Sequence, residues 1–143
     1  MTLHYRTCGF VIKKNDIAEA DRIFTVFTQD FGKIKIIGKS IRKMASKLRG
    51  GIDIISLSEI EFIQGNTYKT LTDSIFLEKF NDIKKNLGKL KISQKIAGAI
   101  DNLVGIEEKD DKLWDLVNEI FEKLEDYSLP AKNYLLVYYY FLW

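Results

Sequence analysis

The sequence contains one cysteine, one histidine and one proline among 143 residues. With the single thiol of Cys8, these residues form no internal disulfide and no zinc site built on cysteines. Cys8 lies in an apolar stretch, where it is expected to pack as a small strand residue. The lone histidine, His4, lies beside the N-terminus, where a catalytic base is poorly held. A Ser-His-Asp or Cys-His catalytic site is therefore not expected.

Motifs that bind nucleotide phosphates are also missing. Neither Gly-x-Gly-x-x-Gly nor Gly-x-x-x-x-Gly-Lys-Ser/Thr occurs, since the stretch Gly38-Lys39-Ser40 lacks the upstream glycine. The acids Asp16, Glu19 and Asp21 could hold Mg²⁺, but acids before a strand are more often caps or partners of a neighbour such as Arg22. We therefore expect no enzyme activity, no metal, no cofactor and no small-molecule substrate.

Long apolar runs are absent as well. The N-terminal residues carry no apolar core of the signal-peptide kind. The run from Tyr134 to Trp143 is apolar or aromatic throughout, but it reaches only about half of the ~20 residues that a membrane-spanning helix needs. We expect a cytoplasmic protein without a membrane segment, in which this run is a core helix of a truncated product. The alternative is an edge that docks on another chain.

The charge is nearly balanced overall but unevenly distributed. Against a net charge of +2, residues 1–80 carry 13 Lys and Arg with 9 Asp and Glu, whereas residues 81–143 carry 9 with 11. Between Gly32 and Gly50 there are seven basic residues and no acid: Lys33, Lys35, Lys39, Arg42, Lys43, Lys47 and Arg49. Such a run suits a polyanion such as a nucleic acid. The alternative is a solvated loop whose lysines only aid solubility.

The first half has the composition and alternation of β-strands. Strands are predicted at 4–14, 22–28, 33–36, 54–63 and 67–76, with a hairpin turn at Gln29–Gly32. Five short strands in about 75 residues predict a small closed barrel, because closure removes exposed sheet edges.

The second half has helical spacing. Apolar residues recur at helical intervals from Leu113 to Leu124, with Asp110 or Asp111 as N-cap. An earlier helix is expected to end near Gly105, and Pro130 to open the last one. The predicted fold class is therefore α+β, with a barrel domain at 1–80 and a helical domain at 81–143.

The basic run supplies the candidate binding residues. We assign phosphate contacts to all seven of its lysines and arginines, with Arg22 as an addition. Aromatic residues flank the run, and most are expected in the core; Phe31, in the turn beside Gly32, is the candidate for base stacking. If about four to seven of these cations contact phosphates, log K against log salt for a single strand should slope at roughly −3 to −5.

One stretch of sequence resembles a known family. The run Ala18–Thr28, followed by Gly32-Lys33, Gly38-Lys39, Arg42 and Ser46–Gly50, resembles the N-terminal region of the RecO family of bacterial DNA-repair proteins. The similarity follows nearly the whole chain in order and is specific up to about Phe80. The resemblance implies an OB-fold barrel followed by a helical domain that is incomplete here, because family members continue further, often with a zinc-binding cysteine cluster.

The resemblance also implies a function. It implies binding of single- and double-stranded DNA, annealing of complementary strands, and action with RecR and the single-stranded-DNA-binding protein to load RecA during recombinational repair at the nucleoid. The residues themselves leave two alternatives open. One is a protein-interaction module that touches DNA only within a larger assembly, and the other is RNA binding, since OB folds serve both nucleic acids.

Overall fold

Strands fill the first half of the chain and helices the second. The structure is a computed structural model that describes residues 3–43, 50–126 and 128–142. The strands are β1 Leu3–Ile17, β2 Asp21–Thr28, β3 Gly32–Gly38, β4 Leu57–Gln64 and β5 Lys69–Glu78. The helices are α1 Asn81–Lys85, α2 Leu87–Leu103, α3 Asp111–Glu125 and α4 Tyr134–Leu142, with a 3₁₀ turn at Ala131–Asn133 before α4.

The five strands close into a barrel. The long strand β1 pairs antiparallel with β2 and with β4. The ring is completed by β3 and β5, which pair in parallel, Ile36 with Lys69 and Ile37 with Thr70. The order around the barrel is β1-β2-β3-β5-β4, as in an OB-fold. The predicted fold class, an N-terminal OB-fold barrel followed by helices, is confirmed.

The predicted hairpin between β2 and β3 forms around Gly32. This residue has a φ of 67°, and a Cβ there would lie 2.2 Å from the carbonyl oxygen of Glu108. The Thr28 hydroxyl stabilises the turn, because it donates to the Gly32 carbonyl at 2.7 Å and accepts from the Phe31 N–H at 3.0 Å. Glycine is therefore required twice, by the turn and by the close approach of the segment after α2.

Apolar side chains of the strands divide between two hydrophobic clusters. Successive strand residues face opposite sides, so Val11 lies inside the barrel, whereas Phe10 and Ile12 pack outside it against the helices. The interior cluster consists of Val11, Phe24, Val26, Ile34, Ile36, Ile41, Ile52, Ile60, Phe62 and Leu71. The outer cluster joins Phe10, Ile12 and Phe27 to buried residues of all four helices. The division at residue 80 stays a prediction, and the two parts share this outer cluster.

Several element boundaries differ from the predicted ones, and two of the differences have a clear backbone cause. β4 begins at Leu57 instead of residue 54, because Ile55 has a positive φ of 53° that a strand does not accommodate. Pro130 precedes a 3₁₀ turn, so α4 begins only at Tyr134. In both places the element begins a few residues later than predicted, and those residues belong to the connecting segment before it.

The N-cap predicted for α3 is confirmed, whereas the last helix, α4, is buried only in part. Asp110 is the N-cap of α3, as predicted, since its carboxylate accepts the N–H of Leu113 at 3.0 Å. In α4, only Val137 and Phe141 are buried, and the apolar residues left exposed are Leu135, Leu136, Tyr139, Tyr140 and Leu142. Within residues 3–43, 50–126 and 128–142, no helix is long and apolar enough to cross a bilayer.

Candidate nucleic-acid interface

Three lysines of the basic run are exposed at β3 and the turn after it. Lys35 lies within β3, while Lys39 and Lys43 follow the strand. The turn is closed by the Lys43 N–H, which donates to the Ser40 carbonyl at 3.1 Å. Among the described residues, no ion pair within 4.0 Å involves any of these three ammonium groups. These are strongly hydrated, flexible cations of the kind that contact phosphates as point charges.

Two arginines beside them share an acid. Arg22 Nε donates to Asp16 Oδ1 at 2.5 Å, and Arg42 Nη1 lies 3.5 Å from Asp16 Oδ2. Arg42 also donates from Nη2 to the carbonyl of Ala18 at 2.8 Å. The hydrogen bond from Arg22 lowers the pKa of the Asp16 carboxyl below its usual range. Asp16 is thus a partner of Arg22, one of the two alternatives predicted for these acids.

Lys33 does not join this surface. Its side chain is 9% exposed, and its ammonium donates to the Asp101 carbonyl at 2.7 Å and lies 3.4 Å from Asp101 Oδ1. Asp101 lies in the last turn of α2, where exposed carbonyls favour a cation. The assignment of a phosphate contact to Lys33 does not fit this position, because Asp101 at the end of α2 covers Lys33 and leaves Lys35, on the same strand face, in solvent.

An exposed aromatic ring lies beside Lys39. The Lys39 ammonium is 5.2 Å from the centroid of the Tyr68 ring, and Tyr68 is 43% exposed. A hydrogen bond with Tyr68 raises the pKa of Lys39 above its usual value. Lys39 is therefore charged at neutral pH and pairs a cation with an aromatic face, the combination found in single-strand binders.

Phe31, the predicted stacking ring, is half-buried at the other end of β3. Its ring packs edge-on against Tyr5 at 5.5 Å and Phe62 at 5.8 Å. Together with Gln64 and Lys69, these rings line a cavity of about 300 Å³. The other aromatics flanking the basic run, Phe10, Phe24 and Phe27, are at most 2% exposed. Base stacking on Phe31 stays a prediction.

The remaining two predicted contacts, Lys47 and Arg49, lie outside the described residues. We call the described basic residues of β2, β3 and the turn after β3 that are not buried the basic surface: Arg22, Lys35, Lys39, Arg42 and Lys43. The two arginines contact Asp16 and, from Arg42, the Ala18 carbonyl at the β1–β2 turn. The three lysines are exposed to solvent.

Comparison with known proteins identifies the fold's family. Residues 1–80 match the family model described as Recombination protein O N terminal. This chain belongs to the RecO family. It is 28% identical over 134 residues to the DNA repair protein RecO of Gloeothece citriformis, covering 94% of this chain and 47% of that protein. It is 30% identical over 126 residues to the RecO of Nostoc sp., covering 88% and 43%.

A third RecO relative, from Caldanaerobacter subterraneus, is 25% identical over 133 residues, covering 93% of this chain and 54% of the relative. The chain therefore spans about half the length of the curated relatives it matches. The match to the family model ends at Phe80, the residue before α1.

Sequence reasoning missed the roles of two residues beside the basic surface. Tyr68 was one of several strand aromatics, and Lys69 was not singled out, although its ammonium pairs with Glu107 at 2.5 Å in the cavity beside Phe31. The turn predicted at Gly65-Asn66 was the local signal for Tyr68, because a side chain in the loop between β4 and β5 is expected to be exposed.

Proposed function

We propose that this chain is a non-enzymatic DNA-binding module that holds single- and double-stranded DNA by its phosphates. The observation that carries the proposal is the basic surface itself, with exposed Lys35, Lys39 and Lys43 on an OB-fold barrel. Membership of the RecO family supports it, since the relatives are named DNA repair proteins.

Contacts of this kind position DNA without reading its sequence. Lysine and arginine neutralise phosphates and release counterions, which gives affinity that does not depend on the bases. Two strands held on one positive surface repel each other less and keep their base edges accessible. This is a physical route to the strand annealing that we propose for the module.

Membership of the RecO family supports a proposal for the cellular role. We infer a recombination mediator in DNA repair, acting at the nucleoid with RecR and the single-stranded-DNA-binding protein to help load RecA. These partners are proposals for the whole protein, because this chain spans only about half of its relatives.

A salt series on this chain tests the proposal. Fluorescence anisotropy of a labelled oligothymidylate should show binding at low salt, and the slope of log K against log salt should be about −2 to −5. The lower bound counts the three exposed lysines, and the upper bound adds Arg22, Arg42, Lys47 and Arg49. Absence of binding at low salt, or a slope near zero, contradicts the proposal.

The rival is a protein-interaction module that touches DNA only within an assembly. One observation favours it, namely the apolar surface that α4 exposes through Leu135, Leu136, Tyr139 and Tyr140. In that case this chain alone leaves the oligonucleotide unbound, and binding appears only after RecR is added. An RNA oligonucleotide of matched length in the same assay separates DNA preference from general polyanion binding.

A further inference from the structure

A groove lies where the barrel meets α3. It has a volume of about 470 Å³ and is lined on the barrel side by the start of β4 and the end of β5. Its apolar lining consists of Phe10, Leu57, Leu77 and Phe80. Leu77 is 49% exposed, and Ile75, two residues earlier on β5, is 52% exposed. Exposed apolar side chains next to a concave apolar lining are typical of binding surfaces.

The polar lining of this groove is acidic. It contains Glu78, Glu122, Glu125 and Asp126 together with Asn118, and none of the described residues that line it is basic. Three lysines lie near this rim without lining the groove. Lys89 is buried, pairs with Asp82 and donates to the Asp126 carbonyl at 2.8 Å, and Lys84 is half-buried between the fields of Asp53 and Glu125. Lys79 is exposed, and its ammonium lies 5.3 Å from the centroid of the Phe76 ring.

Three of these carboxylates are held in place by backbone groups. Glu125 accepts the N–H of Ile83 at 3.0 Å, and Glu78 accepts the N–H of Phe80 at 3.1 Å. Asp126 accepts the N–H of Ser128 at 2.9 Å, a hydrogen bond that lowers the pKa of its carboxyl. The negative charge around the groove is therefore fixed before any partner arrives.

The fourth carboxylate has a different setting. Glu122 is exposed on α3, and within the described part of the chain it makes no hydrogen bond or ion pair through its side chain. Since it lines the groove with a free acceptor, it is the member best able to receive a cation from outside.

We propose that this acidic groove (Phe10, Leu57, Leu77 and Phe80 with Glu78, Glu122, Glu125 and Asp126) docks a peptide segment of a partner protein that presents an apolar side chain flanked by Lys or Arg. The apolar side chain fills the lining, and the flanking cations meet the carboxylates. A DNA backbone is repelled by the same four charges, so the site goes beyond the DNA-binding function and does not depend on it.

The first test uses a labelled peptide of alternating leucine and lysine with this chain. We expect saturable binding that weakens as salt is raised, because the flanking contacts are electrostatic. A peptide of alternating leucine and glutamate should not bind. Equal binding of the two peptides, or no binding of the lysine peptide, overturns the proposal.

Matched charge variants locate the site. Glu122→Lys should weaken binding of the lysine peptide by about tenfold, and Leu77→Ser should weaken it without changing the charge. Glu19→Lys is the control, since it makes the same charge change at an exposed residue in the β1–β2 turn, outside the groove. All three positions are exposed, so the variants fold. Equal loss in Glu122→Lys and Glu19→Lys contradicts the assignment to the groove.

A second copy of this chain is the competing occupant. Sedimentation velocity over a concentration series distinguishes the two, because self-docking predicts a dimer that Glu122→Lys abolishes. That result overturns the proposal of a partner peptide, whereas a monomer at every concentration supports it.

Discussion

The two ends of β5 lead to surfaces of opposite charge. Just before its start, Tyr68 lies beside Lys39 of the basic surface, and at its end Glu78 lines the acidic groove. The strand has ten residues, which at about 3.3 Å each separates the two surfaces by about 30 Å. The barrel therefore has two separate surfaces, which suit ligands of opposite charge.

The two surfaces also differ in how their charges are held. Among the described residues, the exposed lysines of the basic surface make no ion pair, whereas three of the four groove carboxylates accept backbone N–H groups. Unpaired lysines suit a phosphate backbone, which presents charge without a fixed shape. Fixed carboxylates around an apolar lining suit an occupant of defined shape. The sign of the charge and the way it is held together separate the proposed ligands.

The largest expected effect comes from reversing the charge of the exposed lysines. The combined variant Lys35→Glu, Lys39→Glu and Lys43→Glu should weaken single-strand binding by about a hundredfold or more at low salt, because three phosphate contacts become repulsive. Anisotropy across a salt series should show the slope reduced in magnitude by about 2. Binding of the leucine-lysine peptide to the acidic groove should be unchanged.

The matched control places the same charge change on the helices. Lys91, Lys112 and Lys132 are exposed, and their combined change to Glu alters the net charge equally. If this control weakens DNA binding as much as the first variant, the effect belongs to net charge and the basic surface is not the binding site.

Features set by neighbouring residues were predictable from the sequence. The hairpin at Gly32 and the N-cap at Asp110 each depend on residues within one turn, and both formed as predicted. Part of the barrel interior followed from strand alternation, since Ile34 and Ile36 of β3, like Ile60 and Phe62 of β4, recur with a period of two in alternation with charged residues.

Features set by distant residues were not predictable in this way. Alternation places Lys33 and Lys35 on one face, but Asp101, 68 residues after Lys33, covers only the first. The acidic groove likewise needs Phe121 of α3 to pack against Phe10 and Phe80, which no local pattern specifies. The exposed ring of Tyr68 became relevant only when the barrel placed it beside Lys39.

Substitutions of Lys33 and Lys35, the two lysines of β3, should have different effects of intermediate size. Lys35→Met should weaken single-strand binding about threefold to fivefold, because it removes one phosphate contact. Lys33→Met should leave DNA binding unchanged but lower the free energy of unfolding by about 1–3 kcal/mol, since it removes a charge-assisted hydrogen bond to Asp101. Urea unfolding and anisotropy on both variants measure the two quantities. A loss of DNA affinity in Lys33→Met equal to that in Lys35→Met would restore Lys33 to the basic surface.

The smallest expected effect concerns Asp16, an acid that pairs with both arginines of the basic surface. Asp16→Asn removes a negative charge beside Arg22 and Arg42, so single-strand binding at neutral pH and low salt should tighten by about twofold to threefold. The folded-state pKa of Asp16 is lowered by Arg22, so its stabilising contribution is present above the usual aspartate range and is lost as pH falls through the lowered value. Thermal unfolding midpoints of the two proteins should therefore differ at neutral pH and converge in acid. A difference that persists unchanged in acid would show that the Asp16 carboxylate does not stabilise the fold through its charge.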